Sequence, residues 1–250
     1  MRTALVTGAG RNIGLAVGRA FAAVGHDVAL NARSEDTIQE AAASLADLPG
    51  QVIGLAGDVS QRDDVDRVVA KAEEELGPID ILVNCAAVRV HRPFRELSLD
   101  EWNISLQVGL TGAFHCTQAV IGGMVDRGWG RVISIGGITG QTGAPNRAGV
   151  VATKAGLIGL TRALALEFAP TGVTVNCVSP GLIETERGEW TSLGDSGVTE
   201  KHYEERAKKI PVKRLGHLDE VVAACAYLAS DDAGFVTGQT LNVNGGLYLG

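Results

Sequence analysis

Seven short apolar runs recur along the chain, most of them followed by a longer stretch of helical periodicity, and this alternation constrains the fold most. The runs are Thr3–Thr7, Val28–Asn31, Val52–Leu55, Ile79–Val83, Arg131–Ile135, Val173–Val178 and Thr240–Val243. They are nearly continuous in apolar residues, as strands covered on both faces are. The helical patterns between them lie near 13–24, 35–47, 61–76, 100–127, 149–169 and 218–229. Such succession predicts an α/β fold with a doubly wound parallel sheet of seven strands flanked by helices. No linker divides residues 1–250, so a single domain is expected. The polar, charged and poorly periodic stretch 186–210 is expected to be a lid-like insertion over one end of the sheet.

Composition narrows the function. The net charge is −7 and no basic stripe stands out, because the cluster from Arg206 to Arg214 is interrupted by Ile210, Pro211 and Val212. A nucleic-acid partner is therefore not expected. Cys85, Cys116, Cys177 and Cys225 form no CxxC pair and the five histidines show no ligand spacing, so free thiols and no metal are expected. Met1 leads directly into a strand-like run. Trp102–Val125 carries no formal charge, but Asn103, Ser105, Gln107, His115 and Gln118 interrupt it, which argues against a membrane partner. The expected compartment is the cytoplasm.

Glycine, at 33 of 250 residues, is nearly double the average usage of roughly 7%. Part of the surplus sits where strand one ends, in Thr7-Gly8-Ala9-Gly10-Arg11-Asn12-Ile13-Gly14, just before a helix. There Gly8 permits a tight turn, Gly14 lets helix and strand approach closely, and the exposed N–H groups of the helix start suit a pyrophosphate. Strand, glycine loop and helix in this order make a Rossmann-type dinucleotide site the expectation.

The same segment resembles the short-chain dehydrogenase/reductase family, whose usual form is TGxxxGIG. The resemblance runs through the chain. It includes Asp58-Val59 after strand three, Asn84-Cys85-Ala86-Ala87 for the NNAG motif, and Pro180-Gly181-Leu182-Ile183-Glu184-Thr185 for the PGxIxT segment. The end of the chain, from Arg214-Leu215-Gly216 through Val236 to Gly246, is similar to 3-oxoacyl carrier-protein reductase-like members. The resemblance implies cofactor contacts from Gly8, Arg11, Asn12, Ile13, Gly14, Asp58, Val59, Asn84, Ala86, Lys154, Pro180, Gly181, Ile183 and Thr185. NAD-preferring relatives place an acid at the end of strand two, where this chain has Ala32 followed by Arg33. Arg33 and Arg11 would complement a 2′-phosphate, so NADP(H) is favoured over NAD(H).

The family's chemistry implies a tyrosine proton donor, a lysine four residues later, a serine on the carbonyl oxygen and an asparagine that anchors water. Only Lys154 keeps its identity. Val150 stands at the tyrosine position, Gly137 at the serine and Gly109 at the asparagine, and the first tyrosine in the chain is Tyr203. Removing a positioned acid typically costs about 10²–10⁴-fold. Removing an oxyanion donor costs about 10²–10³-fold. The expectation is an NAD(P)(H)-dependent oxidoreductase on a carbonyl/alcohol substrate with a non-standard mechanism. A nucleotide-binding sensor, a non-catalytic subunit supporting an active paralogue, and non-redox chemistry in the altered pocket stay open.

Other polar residues expected near the mouth are His91, Arg92, Thr139, Gln141, Asn146 and Arg147, of which His91 and Thr139 are the speculative catalytic substitutes. His202 and Tyr203 fall in the expected lid. The apolar helices 100–127 and 149–169, with Gly122, Gly123, Gly156 and Gly159, would permit close helix approach, and the family resemblance implies that they form the seam of a dimer or tetramer of this chain.

Overall fold

The computed structural model describes residues 1–185, 192, 193, 205 and 207–250. All seven expected runs are strands. They are β1 Thr3–Thr7, β2 Asp27–Ala32, β3 Val52–Ala56, β4 Ile79–Asn84, β6 Gly130–Ile135, β7 Val173–Pro180 and β9 Thr240–Val243. They form one parallel sheet in the order β3-β2-β1-β4-β6-β7-β9. Registers such as Leu5 on Ala29 and Leu5 on Leu82 place the middle of β1 between β2 and β4.

The helices are α1 Asn12–Ala23, α2 Glu35–Ala43, α3 Arg62–Leu76, α4 Leu99–Leu106, α5 Gly112–Asp126, α6 Thr139–Thr142, α7 Ala148–Phe168 and α8 Leu218–Ala229. Alternation along each strand sends residues to two cores. Ala4 and Val6 join Val17, Phe21, Ile38, Val221 and Leu228, so α1, α2 and α8 cover one face. Leu5 joins Val65, Val68, Val120, Met124 and Ala165, so α3, α5 and α7 cover the other.

Three local features go beyond the expected elements. The helix at 35–47 ends at Ala43, where the Ser44 hydroxyl turns back to donate to the Ala41 carbonyl at 2.7 Å. The run 100–127 is not one α-helix, because Gln107–Thr111 forms a π turn between α4 and α5. A short strand β5, Arg89–Val90, pairs in parallel with β8, Ser192–Leu193. Of the expected insertion at 186–210, residues 186–191, 194–204 and 206, with His202 and Tyr203 among them, lie outside the described residues.

Leu99–Asp126 and Ala148–Thr171 are long and apolar enough, by length and composition, to cross a membrane. Both pack on the sheet and on each other, α5 against β4 and β6, α7 against β7 and α4. Their glycines differ in environment. A Cβ at Gly156 would lie 2.7 Å from Leu110 Cδ2, whereas Gly122 and Gly159 face open space.

Candidate active site

Strand order reverses between β1 and β4, so the crevice beyond their carboxyl ends is where a ligand can enter between the loops. Gly8 closes β1 with φ +63°, and a Cβ there would stand 2.7 Å from Ala86 Cα. The Gly8 turn therefore excludes side chains by conformation and by space. A Cβ on Gly14 would lie 2.5 Å from the Gly8 carbonyl oxygen, and one on Gly10 would lie 2.8 Å from Thr37 Cγ2. Helix α1 starts after Arg11, whose side chain makes no capping bond, and Asn12 sits at φ +50°. Ile13 and Gly14 complete its first turn, where the Gly14 N–H donates to the Cys85 thiol. A helix start without an N-cap side chain, behind a glycine cradle, fits a pyrophosphate.

Thr7, which the sequence reading did not single out, pins the two loops together. Its hydroxyl oxygen accepts from the N–H groups of Cys85 at 3.1 Å and Ala86 at 3.3 Å. The Ala9 N–H donates to the Asn31 carbonyl at 2.9 Å and ties the loop to β2. Arg33 is exposed just after β2 and Arg11 is partly buried in the loop. Among the described residues neither guanidinium has a carboxylate partner.

Beyond β3, Asp58 Oδ1 accepts from the Ser60 N–H at 2.9 Å and its hydroxyl at 2.7 Å. The Asp58 N–H donates to Asp64 Oδ2, and this bond together with Arg67 lowers the Asp64 pKa. Val59 is buried and its carbonyl lies 3.1 Å from His115 Nδ1. Asp58 and Val59 are thus held in a fixed turn at the edge of the crevice.

On the other side, Asn84 is buried at the end of β4, with Nδ2 donating to Thr117 Oγ1 at 3.2 Å. Its Oδ1 has no partner. The Pro180 carbonyl accepts from the Ile138 N–H at 3.0 Å, which joins the segment after β7 to the segment after β6. Gly181 packs so closely on Asn244 that a Cβ would lie 2.8 Å from its Cα. Ile183 is buried against Gly216, and Thr185 follows at the edge of the described segment.

Lys154 reaches this place from α7 and donates from Nζ to the Ile135 carbonyl at 2.6 Å. Its stem keeps some exposure while its ammonium is enclosed, and that burial lowers its pKa. Burial raises the pKa of the Cys85 thiol to about 11, which leaves it protonated at neutral pH. Gly137 stands beside the lysine in open space, and the nearest atom to a Cβ there would be Lys154 Cγ at 3.9 Å. Val150, one turn before Lys154 on α7, is partly buried.

Gly109 is enclosed instead. It lies in the π turn, and a Cβ there would lie 2.4 Å from Thr153 Cγ2. The Thr153 hydroxyl lies 3.0 Å from the Ser105 carbonyl and 2.8 Å from that of Gly149. A π turn leaves a helix carbonyl without its usual donor, and Thr153 meets that need at Ser105. The signal for Thr153 was its place next to Lys154, but its role depends on a helix irregularity that residue pattern does not show.

Among the substitute groups, Thr139 opens α6 after Gly137, and Gln141 is committed, donating to Ser179 Oγ at 2.8 Å and Asn242 Oδ1 at 2.7 Å. His91 is partly buried with an interaction of its own, as is Arg147. The Arg92 N–H donates to the Asn146 carbonyl, and its guanidinium pairs with Glu101 at 2.8 Å. The loops after β4 and β6 therefore meet just before the start of α7.

A family described as Enoyl-(Acyl carrier protein) reductase matches residues 8–248. Acetoacetyl-CoA reductase of Shinella zoogloeoides is 41% identical over 249 residues, covering 99% of both chains. Nodulation protein G of Azospirillum brasilense is 40% identical over 249 residues, covering 98% of both. The 3-oxoacyl-(acyl-carrier-protein) reductase of Escherichia coli is 38% identical over 252 residues, covering 99% of this chain and 98% of its own.

Proposed function

The chain belongs to the short-chain dehydrogenase/reductase family, and from that premise we propose that it is an NAD(P)(H)-dependent oxidoreductase converting a carbonyl and an alcohol without the family's serine and tyrosine. The observation that carries this reading is the glycine cradle of Gly8, Gly10 and Gly14, closed against Ala86 at the crevice and followed by a helix start whose N-cap residue, Arg11, makes no capping bond. We assign the pyrophosphate to Gly8, Arg11, Asn12, Ile13 and Gly14, the adenine to Asp58 and Val59, and the nicotinamide side to Asn84, Ala86, Pro180, Gly181, Ile183 and Thr185. Arg11 and Arg33, with no carboxylate among the described residues, favour NADP(H).

The cofactor, when bound, supplies or accepts hydride at the carbonyl carbon. The chain must then hold the substrate oxygen and deliver one proton to it in the reducing direction. Lys154 is the retained group at this place, and its lowered pKa makes the ammonium a better proton donor than a solvated lysine. The Thr139 hydroxyl and the His91 imidazole are the other candidates near the mouth. We further read residues 1–250 as one domain, and the protein as a cytoplasmic dimer or tetramer joined through α4, α5 and α7.

The test combines NADPH and NADH titration with a panel of carbonyls and alcohols at high enzyme concentration. Loss of turnover in Lys154→Ala, measured at NADPH concentrations that saturate the variant, is the expected result. Restoring Val150→Tyr with Gly137→Ser is expected to raise the rate by about 10²-fold or more. Tight cofactor binding without turnover, unimproved by the restored pair, would replace the enzymatic reading with a binding one. Absence of cofactor binding would remove both.

A further inference from the structure

The charge around the mouth runs against the charge of the whole protein. The chain is acidic overall, at −7, yet no Asp or Glu occurs from Ile81 through Arg95 or from Arg127 through Leu166. These two stretches carry the loops after β4 and β6, which meet through the Arg92 N–H and the Asn146 carbonyl, and the first part of α7 with Lys154. Arg89, Arg92, Arg95, Arg147 and Lys154 all fall within them.

Two of these cations differ in commitment. Arg92 is neutralised by Glu101, which its Nε and Nη2 contact at 3.0 and 2.8 Å. Arg89 has no carboxylate partner among the described residues. It lies on β5 and is exposed, whereas the next residue, Val90, is buried at 2% exposure. Strand β5 packs against α7, the helix of Lys154. The Arg89 charge acts on both the Lys154 ammonium and the Cys85 thiol, which places it within electrostatic reach of the same spot.

An anion bound between Arg89 and Lys154 would be attracted by both cations, and no acid of these two stretches opposes it. Beside Lys154 there is room, because Gly137 contributes no side chain and nothing but Lys154 Cγ comes within 4 Å of where its Cβ would be. We propose that Arg89 anchors an anionic oxygen group of the substrate, and that the substrates are small carbonyl or alcohol compounds bearing a carboxylate or a phosphate. This names the substrate class of the oxidoreductase reading and rests on it. A guanidinium suits either anion, since it presents paired N–H donors to two oxygens. The electrostatic hold would also position a carbonyl that no serine or tyrosine hydroxyl contacts.

The experiment is calorimetric titration of the full chain, alone and saturated with NADPH. The probes are charged and neutral pairs: pyruvate and acetoacetate against their methyl esters, and dihydroxyacetone phosphate against dihydroxyacetone. At least one charged member is expected to bind tenfold or more tightly than its neutral counterpart. Which pair discriminates reports whether the anion is carboxylate or phosphate. In Arg89→Gln the discrimination is expected to vanish with neutral-probe binding unchanged, and in Arg162→Gln, on the exposed side of α7, to persist. Equal binding of charged and neutral probes, binding of none, or discrimination that survives Arg89→Gln would overturn the proposal. NADPH titration of the same variants separates the two readings: anion discrimination through Arg89 without NADPH binding would reject the oxidoreductase reading alone.

Discussion

Gly109 and Thr153 are a matched pair: the threonine methyl occupies the place that any side chain at 109 would need, with 2.4 Å between a Cβ there and Thr153 Cγ2. The single proton of the threonine hydroxyl meanwhile faces the Ser105 and Gly149 carbonyls, so the side chain cannot swing aside without losing both acceptors. Restoring the family asparagine by Gly109→Asn alone is therefore expected to destabilise the fold by about 1–3 kcal/mol, the range for overpacking. Thermal unfolding should show Tm several degrees lower. Gly109→Asn combined with Thr153→Ala is expected to recover most of that loss, and additive Tm losses would show that the two positions are not coupled.

The nucleotide cradle makes a sharper demand. Gly8→Ala places a side chain at φ +63° and 2.7 Å from the Ala86 backbone. The left-handed conformation alone costs roughly 1–2 kcal/mol, and the contact with backbone cannot relax by rotation. Fluorescence titration should show NADPH binding weakened by at least tenfold. By contrast Gly122→Ala, where a Cβ meets nothing within 4 Å, should leave binding unchanged.

Cofactor preference should follow Arg33. Its guanidinium is exposed beyond β2 and has no carboxylate to neutralise it among the described residues. Arg33→Asp is expected to weaken NADPH binding about tenfold or more and to leave or improve NADH binding, since one charge-assisted pair is worth about 1.5–3 kcal/mol. Equal loss for both nucleotides would mean that the arginine does not meet a 2′-phosphate.

Acid stability should report on Glu220, at the start of α8. Two bonds from Arg214, at 2.7 and 2.9 Å, and one from the His217 N–H hold its pKa down to about 2. A carboxylate whose pKa is lower folded than unfolded stabilises the fold above its unfolded value. That contribution falls as pH drops from about 4.5 towards 2. Denaturant unfolding across this window should show a steeper loss in the wild type than in Glu220→Gln, and superimposable profiles would refute the assignment.

Legibility followed the range of the interaction. The central strands were readable because burial on both faces demands consecutive apolar residues, as in β1 Thr3–Thr7, which is buried throughout. The glycine cradle was readable because Gly8 and Gly14 answer local demands of turn and close approach. The small sheet of β5 and β8 was not, since two-residue strands carry no period. The interrupted helix was not either, because Leu99–Asp126 keeps helical spacing across the π turn.

By itself the sequence determined the alternating architecture and the glycine loop after the first strand, and it set the expectation that Val150, Gly137 and Gly109 stand where the family keeps three catalytic groups. These rest on local patterns and on residue types, which chain order preserves. Tertiary structure decided that the glycines at 109 and 137 are unlike, one filled by Thr153 and the other open beside Lys154. It also decided that Arg92 is spent on Glu101 while Arg89 is not. Such differences depend on which side chains from distant segments reach the same few ångströms of space, and no periodicity along one chain encodes that meeting.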